Sequence, residues 1–509
     1  MNNPTGKIMG DDLTNLLDKE YNLHLNHIIN KLSQLDATDT FYKWHHIVLS
    51  IEEFINIPLY EIDDINDMET ILSTPLSMNF LENEQLINAI KIIQNTFDNN
   101  IATRFINLLV MTIAINHSFK LHGINLFDDD TYLDTIGNAV VYYQSRRRYF
   151  ITLLYLIPKI SKGIQKISNN DLLNELLHII EVHCIPVTSI NHKQILHKIY
   201  SDFYVVSDGH AVTGNYHYQP LDELFLEPER ISIVDQMIYR NEQITQLELF
   251  TIPEGKVFST SELKNSILLI ESAYAFYEIE DSDFIMYKNI IFNLLKHSDD
   301  NYFISISKKE FEKIIVNYSN TNKTKIYNNL LNHSTDYIVN LNSFHPLIEL
   351  NLKYVSNVNL LMRFLYYFKN IFLNRKKRFQ IHAGFVFEDI VKQELSNAGF
   401  FITDIKRINR KEFDVVTIKN NIIYNFQCKN NLIDLTYLQA FQKKFIRYNK
   451  YLVNYYSKAL LNEEHREGLL QNKLSINTIN HYVVSRFPVI TNNERIISFN
   501  NLQNFAKEI

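Results

Sequence analysis

The fold of the C-terminal part of this chain is decided by the stretch Glu412-Phe413-Asp414-Val415-Val416-Thr417-Ile418-Lys419-Asn420-Asn421-Ile422-Ile423-Tyr424-Asn425-Phe426-Gln427-Cys428-Lys429. Two runs rich in β-branched and aromatic residues, 412–419 and 422–429, lie on either side of the pair Asn420-Asn421. Such runs predict strands, and the asparagine pair predicts a tight turn between them. The stretch therefore predicts a β-hairpin.

Polar residues lie within these strands, where a purely structural sheet would carry apolar ones. Asp414 interrupts the first strand, and period-two alternation places Gln427 and Lys429 on one face of the second strand, with Cys428 on the other. The hairpin brings Asp414 near Gln427 and Lys429, and we expect Glu388 to reach the same place from a preceding helix. Oxygen ligands of this kind hold Mg²⁺, and a lysine can position or deprotonate the attacking water of phosphodiester hydrolysis.

Further elements on either side of the hairpin complete an α/β domain. The patterns predict a helix over 383–397 that ends at Gly399, a strand over 400–408, a helix over 435–461 and a strand over 476–486. The predicted order is α-β-β-β-α-β. Gly384 lies one turn before Glu388 on the first helix and leaves open space above that carboxylate.

Three short motifs resemble those of a known family: Gly384-Phe385-Val386-Phe387-Glu388, Glu412-Phe413-Asp414 and Gln427-Cys428-Lys429. They look like the motifs of the PD-(D/E)XK phosphodiesterase superfamily, and in particular of its restriction-endonuclease-like, Mrr-type branch with Gln-x-Lys. The resemblance covers about 375–509. It implies a restriction-endonuclease-like α/β domain that uses Mg²⁺ or Mn²⁺.

The resemblance also implies a role for each site residue. Asp414 would be the principal metal ligand, Gln427 a second ligand through its side-chain oxygen, and Lys429 the catalytic lysine. Glu388 would complete or water-bridge the metal site, and the backbone carbonyl of Cys428 is another candidate ligand. Gln427 is neutral where most members carry a carboxylate, so it removes one negative charge from the site. Phe413 replaces the nominal proline of the motif.

The function implied by the resemblance is a metal-dependent endonuclease that hydrolyses DNA, with double-stranded DNA as the expected substrate. The domain's relatives suggest a bacterial restriction or anti-phage defence effector, and a homodimer is possible. The alternatives are a catalytically degenerate module that binds DNA or a protein partner, and an RNase. A simpler alternative is a surface hairpin in which Asp414 and Lys429 form an exposed ion pair.

Charge is divided unevenly along the chain. The net charge is −7, but residues 375–509 carry +9 and the remainder −16. A basic block predicts contact with a polyanion. The candidate phosphate contacts are Arg375, Lys376, Lys377 and Arg378, together with Lys443, Arg447 and Lys450, which recur at i, i+4 and i+7 on one helix face. The alternative for each of these residues is a solvated helix surface.

Length and composition limit the class of protein and its expected location. With 509 residues, 46% hydrophobic and 21% charged, the chain is expected to be globular with two or more domains. Two cysteines, Cys184 and Cys428, exclude a disulfide framework and a four-cysteine zinc module. The first residues show no export signal, and the longest apolar run, 105–115, is too short to cross a bilayer. We expect a cytoplasmic protein with no membrane contact.

The N-terminal region is predicted to be mainly helical. Its parts are a helical region at 1–185, an irregular or β-containing insertion at 186–256 and a second helical region at 257–373, followed by the domain at 374–509. We expect the helical region to sense a signal, regulate the domain or recruit a protein partner. A zinc site is a weaker hypothesis, since ordinary loop and core positions also explain its candidates: His183, Cys184, His192, His197, His210 and His217.

Overall fold

The computed structural model describes residues 5–59, 65–76, 84–121, 133–209, 212–215, 248–253, 255–276, 278–300, 302–318, 323–431 and 441–509. Most of these residues are helical, and several small sheets lie among the helices. This is a multidomain α-rich protein, as the sequence predicts. No helix in the described ranges is both long and apolar enough to cross a lipid bilayer.

Helices form the N-terminal region. They are α1 (Gly10–Ser33), α2 (Ala37–Asn56), α3 (Ile65–Ser73), α4 (Glu84–Thr96), α5 (Asn99–Leu121), α6 (Ile136–Ile160), α7 (Asn169–Ile179) and α8 (Ile185–Ile199). Asp36 begins α2 by accepting a hydrogen bond from the Asp39 backbone N–H at 2.8 Å. Trp44 is fully buried in the shared core and donates to the Phe150 carbonyl at 3.0 Å.

The predicted irregular segment 186–256 is more regular at its start than expected. It opens within helix α8, and its predicted β content includes strand β2 (Tyr204–Ser207). This strand pairs with β1 (Gly6–Met9) and β3 (Val212–Gly214). Residues 248–253 carry no regular secondary structure, and 216–247 lie outside the described residues.

The region 257–373 contains a sheet where the sequence predicted only helices. Its helices are α9 (Thr260–Phe276), α10 (Ser282–Leu295), α11 (Lys308–Tyr318), α12 (Lys323–Leu330), α13 (Tyr337–Leu341) and α14 (Val358–Asn374). Its strands are β4 (Ser298–Asp299), β5 (Phe303–Ser307), β6 (Ile348–Leu350) and β7 (Lys353–Asn357), in the spatial order β4-β5-β7-β6. Two of these strands are too short to show alternation, and the two of five residues, β5 and β7, lie near the lower limit at which alternation is a signal.

The C-terminal region is built on a five-stranded mixed sheet. Its elements are α15 (Lys377–Asn397), β8 (Phe401–Ile402), β9 (Arg407–Ile408), β10 (Lys411–Glu412), β11 (Val415–Lys419), β12 (Ile422–Lys429), α16 (Gln442–Glu464), α17 (Glu467–Leu474), β13 (Ile479–Ser485), β14 (Ile496–Ser498) and α18 (Leu502–Glu508). The strand order is β14-β13-β12-β11-β8. β12 pairs antiparallel with β11 and parallel with β13.

The main elements follow the predicted α-β-β-β-α-β order, but the first predicted strand is wrong in extent. Only Phe401–Ile402 joins the sheet, while Arg407–Ile408 pairs with Lys411–Glu412 in a separate ribbon. The predicted hairpin is confirmed, because β12 spans 422–429 and both turn residues, Asn420 and Asn421, have positive φ. Residues 435–440 of the predicted second helix lie outside the described residues.

Two hydrophobic cores cover the two faces of this sheet. On one face, Phe426 and Val484 belong to a cluster that includes Phe387 of α15 and extends back to residues of α9 and α10. On the other face, Val483 packs with Leu452 and Tyr456 of α16, in a cluster shared with α1 and α8. The C-terminal domain therefore shares its cores with the rest of the chain.

Candidate active site

Asp414 lies where the hairpin ladder ends. The ladder starts at the pair Val415–Phe426, so Asp414 stands opposite Gln427 at a bend just before β11. The Cys428 backbone N–H donates to Asp414 Oδ2 at 2.8 Å. The Asp414 carboxylate thus takes the place of the backbone carbonyl that would accept the next hydrogen bond between the strands. This bond fixes the carboxylate at the end of the hairpin.

Gln427 and Lys429 lie on the same face of β12, as alternation predicts. Gln427 is buried, and its Oε1 accepts a hydrogen bond from Lys429 Nζ at 3.0 Å. Cys428 points to the other face, where it packs against the α15 core. The amide and the ammonium therefore form one polar pair beside Asp414.

Glu388 approaches from helix α15. A Cβ placed on Gly384, one turn earlier, would meet no atom within 4 Å, so the space predicted there is open. Burial and, after it, the negative charge of Asp414 raise the pKa of Glu388 to about 7. The two carboxylates are therefore close enough to interact, although they come from different elements.

The charges around Asp414 partly oppose one another. Burial raises the pKa of Asp414, whereas the Lys429 ammonium and the Cys428 N–H lower it. Burial, followed by the charges of Asp414 and Glu388, raises the pKa of the Cys428 thiol well above its usual value. The thiol is therefore protonated at neutral pH, and only the backbone of Cys428 is suited to bind a hard cation.

The donor set fits a hard divalent cation better than a soft one. Glu388 and Asp414 supply carboxylate oxygens, and Gln427 supplies an amide oxygen next to the Lys429 ammonium. Within the described ranges, no group of three His, Cys, Asp or Glu side chains is placed to hold a metal ion. A cation here would bind two carboxylates and be completed by neutral oxygens, as Mg²⁺ commonly is.

Two lysines near Glu388 were missed in the sequence. The charges of Lys392 and Lys406 both lower the pKa of Glu388, against the effect of burial. Lys392 lies at i+4 from Glu388, which is a readable helical spacing, and also pairs with Asp389 at 3.3 Å. Lys406 lies between β8 and β9, and no pattern in the sequence indicates its proximity.

A buried polar network beneath Asp414 was also missed. Asn425 donates from Nδ2 to Glu463 Oε2 at 2.8 Å and lies 3.1 Å from His481 Nδ1. Arg466 Nε donates to the same Glu463 oxygen at 2.9 Å. The charges of Glu463 and Arg466 act on Asp414 in opposite directions. These residues are far apart in the chain, so only the packing of α16 on the sheet brings them together.

The basic segment Arg375-Lys376-Lys377-Arg378 is partly paired with acidic side chains. Lys376 pairs with Asp281 at 3.3 Å, and Arg378 pairs with Glu278 at 2.7 Å. Arg375 and Lys377 are exposed. Acidic residues between α9 and α10 thus pair with Lys376 and Arg378, and contact of the four basic residues with phosphate stays a prediction.

The basic face of α16 has the predicted geometry. Lys443, Arg447 and Lys450 are all exposed, on the side opposite the buried Phe445 and Leu452. Tyr451 and Tyr455 lie on the same exposed side, with ring centroids 6.4 Å apart and planes 5° from parallel. This face combines positive charge with flat aromatic surfaces.

The histidine group does not assemble into a zinc site among the described residues. His183 Nδ1 lies 3.0 Å from His24 Nδ1, and His197 Nε2 lies 3.1 Å from the Thr14 hydroxyl. Cys184 is fully buried, and burial raises the pKa of its thiol to about 12. His192 is buried, and His210 and His217 lie outside the described residues.

No family model, no curated protein and no solved structure matches this chain.

Proposed function

We propose that residues 377–509 form a metal-dependent phosphodiesterase domain that hydrolyses the DNA backbone. The observation that supports the proposal is that Asp414, at the end of one hairpin, interacts electrostatically with both Glu388 of α15 and Lys429 of β12. The Asp414 charge acts on Glu388, and the Lys429 ammonium acts on Asp414, so Asp414 links the helix acid to the strand ammonium. An exposed ion pair on a surface hairpin would not include a second, half-buried carboxylate with a raised pKa.

Each residue has a distinct part in the proposed reaction. Glu388 and Asp414 would hold Mg²⁺ or Mn²⁺, and Gln427 or the Cys428 carbonyl would complete the donor set. When bound, such an ion polarises the phosphate and acidifies a water molecule. The Lys429 ammonium, held by Gln427, stabilises negative charge that develops on the phosphate oxygens.

The exposed face of α16 supports DNA as the substrate. Lys443, Arg447 and Lys450 offer a row of cations to phosphates, and such contacts position the duplex without reading its sequence. α16 runs back along the sheet from the end that holds the site: Tyr456 reaches Asn431 just after β12, whereas Glu463 reaches Asn425. Its first turns therefore extend beyond the site end of the sheet.

A regulatory role for the N-terminal region is part of the same proposal. Helix α8 contacts α16 through the bond from Lys198 Nζ to Gln442 Oε1 at 2.6 Å, and α1 and α8 share a core with α16. A conformational change in this helical region would therefore act directly on α16, the helix proposed to face DNA. A defence or restriction effector would use such coupling to limit cleavage to a triggered state.

Plasmid cleavage tests the proposal. The full chain is incubated with supercoiled plasmid and Mg²⁺ or Mn²⁺, alongside Asp414→Ala and Lys429→Ala. We expect nicking or linearisation by the wild type and a loss of at least about 10³-fold in each variant, since each removes a group that acts in the transition state. Asp404→Ala and Lys473→Ala, exposed positions in the same domain, are the matched controls and should cleave normally.

Three results would overturn the proposal. Wild-type chain that binds DNA but cleaves under neither metal would favour a degenerate binding module. Cleavage confined to a parallel panel of RNA substrates would favour an RNase. Equal cleavage by wild type and Asp414→Ala would place the activity elsewhere.

A further inference from the structure

A second module with a recognisable topology lies before the C-terminal domain. Residues 282–357 contain helix α10, strand β5, helices α11 and α12, and strands β6 and β7, in that order, with the short strand β4 before β5 and the short helix α13 between α12 and β6. β7 pairs antiparallel with both β5 and β6, so it lies between them in the sheet. This order of elements is that of a winged helix-turn-helix, whose second paired helix enters the major groove of duplex DNA.

The helix pair is fixed by a shared core. Phe311 and Ile315 of α11 and Ile326 and Leu330 of α12 are fully buried in one cluster with α10 and β5. The Tyr327 ring meets the Phe311 ring edge-on, with centroids 5.6 Å apart. The buried faces of both helices are therefore set, and the opposite face of α12 is turned outward.

The outward face of α12 carries groups that can read base edges. Thr324, Lys325 and Asn328 are exposed, and α12 has no acidic residue. Asparagine amides pair with adenine, and threonine contacts bases through its hydroxyl or methyl group. Lys325 is held by Asp283 at 2.8 Å, so we assign base reading to Thr324 and Asn328.

Neighbouring elements supply groups for phosphate. Helix α11 begins with Lys308, which pairs with Glu349, and the exposed Lys309. Before them, Ser307 Oγ donates to the Glu310 carboxylate and accepts from the Glu310 backbone N–H. A helix start with an exposed lysine is a favourable phosphate contact in a helix-turn-helix. Lys353 is exposed next to the β6–β7 turn.

We propose that α12 reads the sequence of duplex DNA through Thr324 and Asn328. This goes beyond the proposed cleavage and does not depend on it. Two consecutive helices join the module to the candidate active site. Strand β7 runs directly into α14, and α14 packs against α15, the helix that carries Glu388. A recognition event at α12 thus has a short physical connection to the site of cleavage.

Selection from random DNA tests this proposal without any cleavage. The full chain in EDTA is used to select duplexes from a pool with a random core of about 20 base pairs, roughly two helical turns. We expect one sequence to be enriched and to bind at least about 10³-fold more tightly than a scrambled duplex. Failure to enrich any sequence would overturn the proposal, even if the plasmid assay succeeds.

Variants locate the reading surface. The double variant Thr324→Glu/Asn328→Glu changes two positions at i and i+4 on α12. It should lose most of the preference for the selected duplex over the scrambled one, because the two glutamates place negative charge next to the bases. Asn26→Glu/Asn30→Glu, an exposed i, i+4 pair on α1, is the matched control and should keep the preference. The milder Asn328→Ala, with a circular dichroism spectrum equal to that of wild type, should reduce it by about 1–3 kcal/mol expressed as a ratio of dissociation constants, about 5- to 150-fold. An unchanged preference in both α12 variants would contradict the assignment.

Discussion

The two regions proposed to contact DNA differ in the burial and charge of their polar side chains. Around Asp414, polar side chains are half-buried, burial raises the pKa values of both carboxylates, and the charge of Asp414 also raises that of Glu388. On α12, Thr324 and Asn328 are exposed and carry no charge. The first arrangement suits chemistry, because buried charges respond strongly to a bound cation, whereas the second suits recognition by hydrogen bonding. Substitutions should therefore separate the two functions.

The largest expected difference between the two regions is their response to pH. Below a pKa of about 7, Glu388 keeps its proton, and a proton and a cation compete for the same carboxylate. As pH falls below about 7, the Mg²⁺ concentration needed for half-maximal cleavage should rise by up to about tenfold per pH unit. Duplex selection by α12 in EDTA should change little over the same range, because neither Thr324 nor Asn328 titrates.

Magnesium titrations of cleavage at several pH values between about 6 and about 8 measure this effect. Glu388→Gln lacks this titrating carboxylate, so it should need more Mg²⁺ for half-maximal cleavage, by an amount nearly independent of pH in this range. A requirement that rises equally in wild type and in Glu388→Gln would assign the titration to another group.

A smaller effect is expected on the basic face of α16. Replacing Lys443, Arg447 and Lys450 together by alanine should weaken binding to all duplexes alike and reduce the slope of log affinity against log salt by about 3. The matched control replaces Lys91, Lys162 and Lys166, three exposed lysines of the N-terminal region. If the two triple variants lower the slope equally, α16 has no special contact with DNA. If the α16 variant alters sequence preference, the division between cutting and reading is wrong.

The sequence predicted the hairpin well because its signals are local. Strand β12 is eight residues long, alternates clearly and follows two asparagines that tolerate the positive φ of a tight turn. Asp414, Gln427 and Lys429 were found because the hairpin alone determines which of them face one another. The prediction for Glu388 required only that its helix be identified and that this helix pack near the hairpin.

The sheet within 298–357 was missed because its signals are weak. β5 has five residues and passes directly into α11, so strand alternation gives way to helical spacing without a turn between them. The ion pairs of Lys376 and Arg378, and the contact of Glu463 with Asn425, depend on packing between distant segments. No local pattern carries such information.

The shared cores also change how the C-terminal domain should be tested. Phe379, Phe387 and Leu395 of α15 lie in the same cluster as residues of α9 and α10. A fragment limited to 375–509 would expose part of this apolar surface, and its activity would not report on inhibition by the remainder of the chain. Variants of the full chain are therefore the sounder comparison.

A calorimetric titration of the full chain with Mn²⁺ in the absence of DNA tests the central claim most directly. We expect one binding event that is lost in Asp414→Ala, weakened in Glu388→Gln, retained in the exposed control Asp404→Ala, and tightened in Gln427→Glu, which restores a second strand carboxylate beside Asp414. Binding that is the same in wild type and Asp414→Ala would contradict the account, because the cation would then lie away from the place where the helix acid and the hairpin acid meet.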